Sequence, residues 1–348
     1  MDVRWSNLMQ WDTVYSADSV EWCPVEPYQN VLVCGTYQLE KSSEHVEEAR
    51  KQSRLGRIYL FTVSEDPTHL SPIQTIETSG VLDQKWCYHT IQGYAVLAAV
   101  TSDGFLKLYR LVDEEGLKLE LWVEEEIGKN LLALSLDWST NKISAVPKLV
   151  VSDSGGNVSV LVVGRDRIEK VSTWKSHDFE AWIAAYNYWN TDIFYSGGDD
   201  CVFKSYDTRI PDVAVTINTS HEAGVTALRC HTDVEHQLLS GSYDEKVRLW
   251  DTRSMRRCVT EAEVGGGVWR LKWHPRAPGA ALAACMYGGV RVLAAGRAGA
   301  AVAVACTYLE HESIAYGADW RHDRTPHVAT CSFYDCSMNI SCVLVKPE

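Results

Sequence analysis

Two stretches decide the fold: Ser196–Asp207, SGGDDCVFKSYD, and Ser240–Asp251, SGSYDEKVRLWD. Each reads as the end of a strand, a turn carrying Asp, and an alternating strand that finishes on an aromatic residue before Asp. Their closing aspartates lie 44 residues apart, within the ~40–45 residues of one four-stranded propeller blade. Weaker copies flank them. Ala99–Tyr109 and Val151–Leu161 lie upstream, Ala284–Leu293 and Thr330–Ser341 downstream. A further copy, Cys34–Phe61, is swollen by Gln38–Leu55, a polar stretch expected to be a mobile surface loop. The copies end near residues 61, 109, 161, 206, 250, 293 and 341, which makes seven blades in one domain spanning 1–348.

A second register agrees. A strand ending in Trp recurs where each blade should begin, at Trp22, Trp86, Trp138, Trp273 and Trp320, with Tyr186 and Cys230 at the aligned position of the other two. The first such strand precedes the first complete blade, and only a short tail follows Ser341. Residues around Leu8–Tyr15 are therefore expected to supply the outer strand of the last blade, removing the open edge an incomplete ring would expose.

Composition limits the function. The chain has 348 residues, 46% of them hydrophobic and 23% charged, enough to bury a large core. A net charge of −13 speaks against direct nucleic-acid binding, which needs a cationic footprint, and suits a basic protein partner. Eleven scattered cysteines contain no C-x-x-C pair, so neither a zinc site nor a disulfide framework is expected. Nor does the N-terminus carry an apolar signal core, and no apolar run reaches the ~20 residues of a membrane span. A reduced monomer of the cytoplasm, with the nucleus as the alternative, is the expectation.

His221, Ser240 and Asp244 invite comparison with a hydrolase triad. The set repeats, however, and an enzyme needs one nucleophile rather than one per blade. Together with Trp250 it resembles the buried tetrad of WD40 repeats. His177, Ser196, Asp200 and Tyr206 match with one aromatic exchange, and His311, Cys331 and Asp335 match loosely. A polar network of this kind stiffens a blade.

More specific words overlie the repeat: HDFEAWIAAYNYW (His177–Trp189), YSGGDD (Tyr195–Asp200), GGGVWRLKWHP (Gly265–Pro275), AACM (Ala283–Met286), YGADW (Tyr316–Trp320) and TCSFYD (Thr330–Asp335). Their order resembles the WD40 proteins of diphthamide biosynthesis, the diphthine methyl ester hydrolases also called diphthine methyltransferases. SVEWCP, VLVCGTYQL and GRIYLF extend the resemblance into the first half. It implies action on a modified histidine of translation elongation factor 2, whose intermediate carries a trimethylammonium group and a methyl ester. The family is described as hydrolysing that ester to a carboxylate and methanol. No metal or organic cofactor is implied.

A trimethylammonium group donates no hydrogen bond, so its natural host is a set of aromatic faces. Aligned inner strands place Trp182, Trp269 and Tyr316 at one position near the channel mouth, where the other blades carry Asp18, Leu82, Leu134 and Thr226. Packing between blades is the plainer role for such rings. Ester hydrolysis needs a base and donors for an oxyanion. Asp178, Glu180, Asp199 and His177 are candidate bases, Arg270 a candidate donor and Asp319 a further candidate, all expected around the same mouth. The rival readings are binding modules: an adaptor of cullin-type ubiquitin ligases docking through Arg209 and Arg253, each two residues beyond a blade's closing Asp, or a methyl-lysine reader using the same rings.

Overall fold

The computed structural model describes residues 1–40, 54–140, 146–295 and 301–346. Their strands form seven separate antiparallel sheets. Six inner strands, Ala17–Trp22, Val81–Trp86, Ala133–Trp138, Ala181–Tyr186, Val225–Cys230 and Arg270–Trp273, open blades 1 to 6 in that order, and Ala315–Trp320 opens blade 7. In blades 1 to 6 the chain runs outward strand by strand. The outermost strands are Gln74–Ser79, Lys118–Glu126, Ile168–Lys175, Thr216–Asn218, Thr260–Glu263 and Val302–Tyr308. Inner strands are covered on both faces, whereas outer strands alternate, as one buried and one wet face require.

The recurring Trp has two tasks. Its ring is buried between blades, and in four of the five, Trp22 being the exception, the indole N–H donates to the carbonyl one residue before the matching position of the preceding blade. Trp86 reaches Glu21 O (3.3 Å), Trp138 Lys85 O (2.9 Å), Trp273 Arg229 O (3.2 Å) and Trp320 Lys272 O (3.2 Å). Each therefore staples one blade to the next, in the region where large buried aromatics contribute most. Tyr186 serves similarly through its hydroxyl, which donates to Leu149 O at 3.4 Å.

Blade 7 is completed by the N-terminus, and the closing strand is longer and earlier than Leu8–Tyr15. Asp2–Asp12 pairs antiparallel with Ser337–Lys346 and is bulged between Asn7 and Met9. Aromatics decide its extent, because Trp5 stacks on Tyr308 of blade 6 at 4.6 Å and Trp11 meets Tyr59 and Phe61 of blade 1 edge-on at 4.7 and 5.1 Å. One strand thus joins three blades. Within Gln38–Leu55, the ends pair as strand, Gln38 opposite Leu55 and Leu39 opposite Arg54; residues 41–53 lie outside the described residues. All eleven cysteines are free thiols.

The His–Ser–Asp sets are framework. His221 joins Asp244 through Nδ1 (2.9 Å) and Ser240 through Nε2 (2.7 Å), and Trp250 Nε1 donates to the same hydroxyl (2.8 Å). Burial holds the His221 imidazole below its usual pKa, hence neutral, while His221 and Arg248 hold the Asp244 carboxyl below its usual range against the cost of burial. His177 repeats the pattern with Asp200 and Ser196 at 2.9 and 2.8 Å. In blade 7 the partner of His311 is Thr330 (2.8 Å), not Cys331. Strand alternation explains the correction: Ser196 faces Ala184, Ser240 faces Leu228 and Thr330 faces Ala318, whereas Cys331 sits one place along, opposite Gly317.

Candidate functional site

Inner strands line a central channel, and all are deformed at one position. Six show a register shift against their second strand, between Ala17 and Ser19, Val81 and Asp83, Ala133 and Ser135, Ala181 and Ile183, Val225 and Ala227, and Ala315 and Gly317. In blade 6 the Trp269 N–H donates to Ala284 O (2.8 Å), the residue that Arg270 already faces. The extra residues are Asp18, Leu82, Leu134, Trp182, Thr226, Trp269 and Tyr316, the seven positions equated by alignment. A bulge leaves one residue out of the ladder and re-aims its side chain. Here it makes a ring around one channel mouth.

The structure brings Trp182, Trp269 and Tyr316 together. Trp182 meets Trp269 at 5.7 Å in an edge contact, and Trp269 stacks on Tyr316 at 4.8 Å with planes 20° apart. All three are half-buried. The turns after the second strands add a tier that the alignment of inner strands did not reach. Three residues beyond the framework Ser or Thr stand Asp199, Tyr243 and Phe333, and the matching turn of blade 1 carries Tyr37. Tyr243 lies 6.4 Å from Trp182 and 6.1 Å from Trp269, Phe333 lies 5.0 Å from Tyr316, and Tyr37 lies 6.1 Å from Phe333. Their signal in the sequence is variation beside a constant neighbour, since Asp200 and Asp244 stay while the residue before them changes. The rings rest on one another, so they form a continuous aromatic wall from blade 4 to blade 1 rather than an enclosed slot.

Asp199 is fastened to that wall. Trp182 Nε1 donates to its Oδ1 at 2.9 Å, and its own N–H donates to Glu180 O at 3.0 Å. The carboxylate is otherwise exposed. Gly224 lets it stand there, because a Cβ would come within 2.8 Å of Asp199 Oδ1 and 3.1 Å of the Tyr243 ring. Aromatic faces beside a fixed carboxylate suit a quaternary ammonium ion, through cation–π attraction and opposite charge. Asp178 is exposed on the loop before Trp182, and Glu180 is half-buried. His177 is 1% exposed, with both ring nitrogens occupied by Asp200 and Ser196. It is sealed within the framework and is no base for this mouth.

Two candidates belong elsewhere. Arg270 lies below the wall, inside the channel, where Nη2 donates to Leu82 O (3.1 Å) and pairs with Asp83 (3.1 Å). Its donors are engaged across the channel instead of facing an oxyanion at the rim, and Asp83 with Asp18 keeps it charged despite burial. Asp319 stands three residues beyond Tyr316, about 10 Å further along the strand. There its Oδ2 accepts the Trp22 N–H (2.7 Å) and its Oδ1 lies 3.6 Å from Lys272 Nζ. The residues preceding the recurring Trp, among them Glu21, Lys85, Asp137, Arg229, Lys272 and Asp319, form a paired ring of charges at the opposite end. Lys272 bonds Glu21, Arg229 meets Asp137 at 3.3 Å, and Arg229 also donates to the Tyr88 hydroxyl at 2.6 Å. A cavity of about 230 Å³ opens beneath that ring, walled by Trp22, Trp86 and Trp273. Burial raises the Glu21 and Asp319 carboxyls against the pull of Lys272.

Residues 214–251, which hold the His221 tetrad, match the WD domain, G-beta repeat. Diphthine methyltransferase of Mus musculus is 42% identical over 324 residues, covering 89% of this chain and 68% of that protein. The chain belongs to the diphthine methyltransferase family. The diphthine methyltransferase homolog of Dictyostelium discoideum is 35% identical over 366 residues, covering 94% of this chain and 96% of its own. Among solved structures, a chain of the crystal structure of the mitotic checkpoint complex superposes with a TM-score of 0.71 over 97% of this chain and 91% of its own, at 14% identity, which speaks to the fold alone.

Proposed function

We propose that the aromatic mouth receives methylated diphthine on translation elongation factor 2 and that the protein hydrolyses its methyl ester to the carboxylate and methanol. One observation carries the reading: in a chain of the diphthine methyltransferase family, Trp182, Trp269 and Tyr316 close into one wall with Asp199 bound to its edge. The trimethylammonium group rests on that wall, and the ester lies over the channel. The acidic balance of the chain, −13 overall, suits a basic surface on the factor. Purified protein mixed with methyl-esterified diphthine on elongation factor 2 should release methanol. Binding of the factor with no release of methanol would leave a scaffold role and end the enzyme reading.

The second reading, a ubiquitin-ligase adaptor, has its own observation. DDB1- and CUL4-associated factor 11 homologs of Caenorhabditis briggsae and Caenorhabditis elegans match part of the chain, at 25% identity over 45% of it and 34% over 26%. Arg209 and Arg253, the residues it would use, are largely exposed at 62% and 67%, and each forks onto the Asp two residues before it, at 2.6 Å. They pair within their own blade, not with a neighbouring one. This reading predicts capture of a ligase subunit that is lost in Arg209→Ala and Arg253→Ala together.

A further inference from the structure

One member of the mouth ring is a buried acid without a hydrogen bond. Asp18 holds the bulge position of blade 1, next around the ring from Tyr316, and is 3% exposed. Among the described residues neither of its oxygens receives a hydrogen bond, and Oδ1 is fully enclosed. The charged or titratable groups that face it are Arg270 from blade 6, Asp83 from blade 2, Cys34 from the second strand of its own blade, and Tyr316 and Cys331 from blade 7. Arg270 is the cation among them, yet its Nη2 stays 3.8 Å from Asp18 Oδ1 while it lies 3.1 Å from Asp83 and donates to Leu82 O. Buried polar groups are mostly hydrogen-bonded, and a buried carboxyl left without a bond calls for a reason, a catalytic role among them.

The other acids of the region fit a reaction less well. Asp83 is tied to cations at both oxygens, Oδ1 lying 3.1 Å from Arg270 and Oδ2 accepting from Lys85 and the Leu136 N–H, although Oδ1, like that of Asp18, accepts no hydrogen bond. Asp199 is at the wet rim, and Asp319 is at the far end of the channel. Asp18 and Asp83 are both enclosed, but Asp18 is the one that holds a ring position beside Tyr316 and stands further from a cation, 3.8 Å against 3.1 Å.

We propose that Asp18 is the general base of ester hydrolysis at this mouth, an inference that rests on the esterase reading above. With the trimethylammonium group on the wall, the Asp18 carboxylate removes a proton from a water molecule as the water oxygen bonds to the ester carbonyl carbon. The tetrahedral adduct then collapses, the bond from carbon to the methoxy oxygen breaks, and the departing oxygen takes the proton back from Asp18 to leave as methanol. The carboxylic acid formed loses its own proton to solvent. Burial, with a smaller push from Asp83 and an opposing pull from Arg270, brings the Asp18 carboxyl up to about 8, and a base whose pKa lies near working pH is the efficient kind.

The experiment follows methanol release from methyl-esterified diphthine on elongation factor 2, with an enzyme-free control subtracted at each pH, for the wild type and Asp18→Asn. The wild-type kcat/KM should climb about tenfold per pH unit and level off near pH 8. Asp18→Asn, which copies the shape of the protonated acid, should lower kcat by about 10²–10⁴-fold, abolish that climb and leave the Kd for the modified factor unchanged. A variant within a few-fold of an active wild type overturns the role of Asp18 and leaves the esterase reading intact. So does a flat wild-type profile between pH 6 and 9, even if the variant fails to fold. A wild type that releases no methanol overturns the esterase reading, and the base with it.

Discussion

The two ends of the channel are built from the same seven strands and could hardly differ more. At the end set by the bulges the residues are unlike one another, and from blade 4 round to blade 7 three of them, Trp182, Trp269 and Tyr316, are half-buried aromatics. Three residues deeper the strands carry Glu21, Lys85, Asp137, Arg229, Lys272 and Asp319, nearly all fully buried and tied to an opposite charge or a hydroxyl. The first arrangement leaves attractive surface over for a ligand. The second spends its charge on itself, because a buried ion without a partner is costly. Asp18 departs from the division, an acid at the aromatic end with no hydrogen bond, and for that reason the chemistry is placed beside it.

The largest expected effect concerns Asp18. Its folded pKa lies at about 8, above the ordinary 3.8, so the folded state holds the proton more tightly than the unfolded one. The stability this confers is complete below pH ~4 and is lost as pH rises to about 8, by up to about 6 kcal/mol for a shift of that size. Asp18→Asn should match the wild type at low pH and exceed it at pH 9, as read by urea unfolding. Equal pH dependence in both chains would show that Asp18 is not the enclosed acid described here. Next comes the charged end. Lys272→Met leaves Glu21 and Asp319 buried without their cation and should cost about 3–5 kcal/mol, with the Kd for modified elongation factor 2 unchanged. A stable variant would break the claim that this end is structural.

Smaller effects sharpen the aromatic side. Trp182→Phe retains a ring but loses the bond to Asp199, so affinity for the modified factor should fall about fivefold, the equivalent of one hydrogen bond of ~1 kcal/mol. A fall no larger than experimental scatter would detach Asp199 from the site. Smallest of all, Arg209→Ala and Arg253→Ala remove exposed pairs and should change unfolding free energy by less than about 1 kcal/mol, with methanol release untouched.

The ring of blades was legible in the sequence because its signals repeat. The 44-residue spacing, the recurring Trp and the Ser240, Asp244 and Trp250 set each appear more than once, and a repeated pattern is hard to mistake. The site was legible only in part, because it consists of departures from the repeat. Trp182, Trp269 and Tyr316 stood out by size at an aligned position. Asp18 occupied that same position, but only the burial of its carboxyl and the preference of Arg270 for Asp83 single it out, and both depend on residues far apart in the chain. Asp319 was misplaced for a simpler reason. Nearness in sequence to Tyr316 hid the roughly 10 Å by which three strand residues separate two ends of a channel.

One measurement tests the division most directly: the Kd of elongation factor 2 bearing methylated diphthine for Trp269→Ala and for Lys272→Met, each checked to be folded. Loss of the central ring of the wall should weaken binding about 5–30-fold, the range of ~1–2 kcal/mol for a cation on an aromatic face, and Lys272→Met should bind as the wild type does. Weakened binding in Lys272→Met with Trp269→Ala unaffected would put the substrate at the charged end and contradict the account.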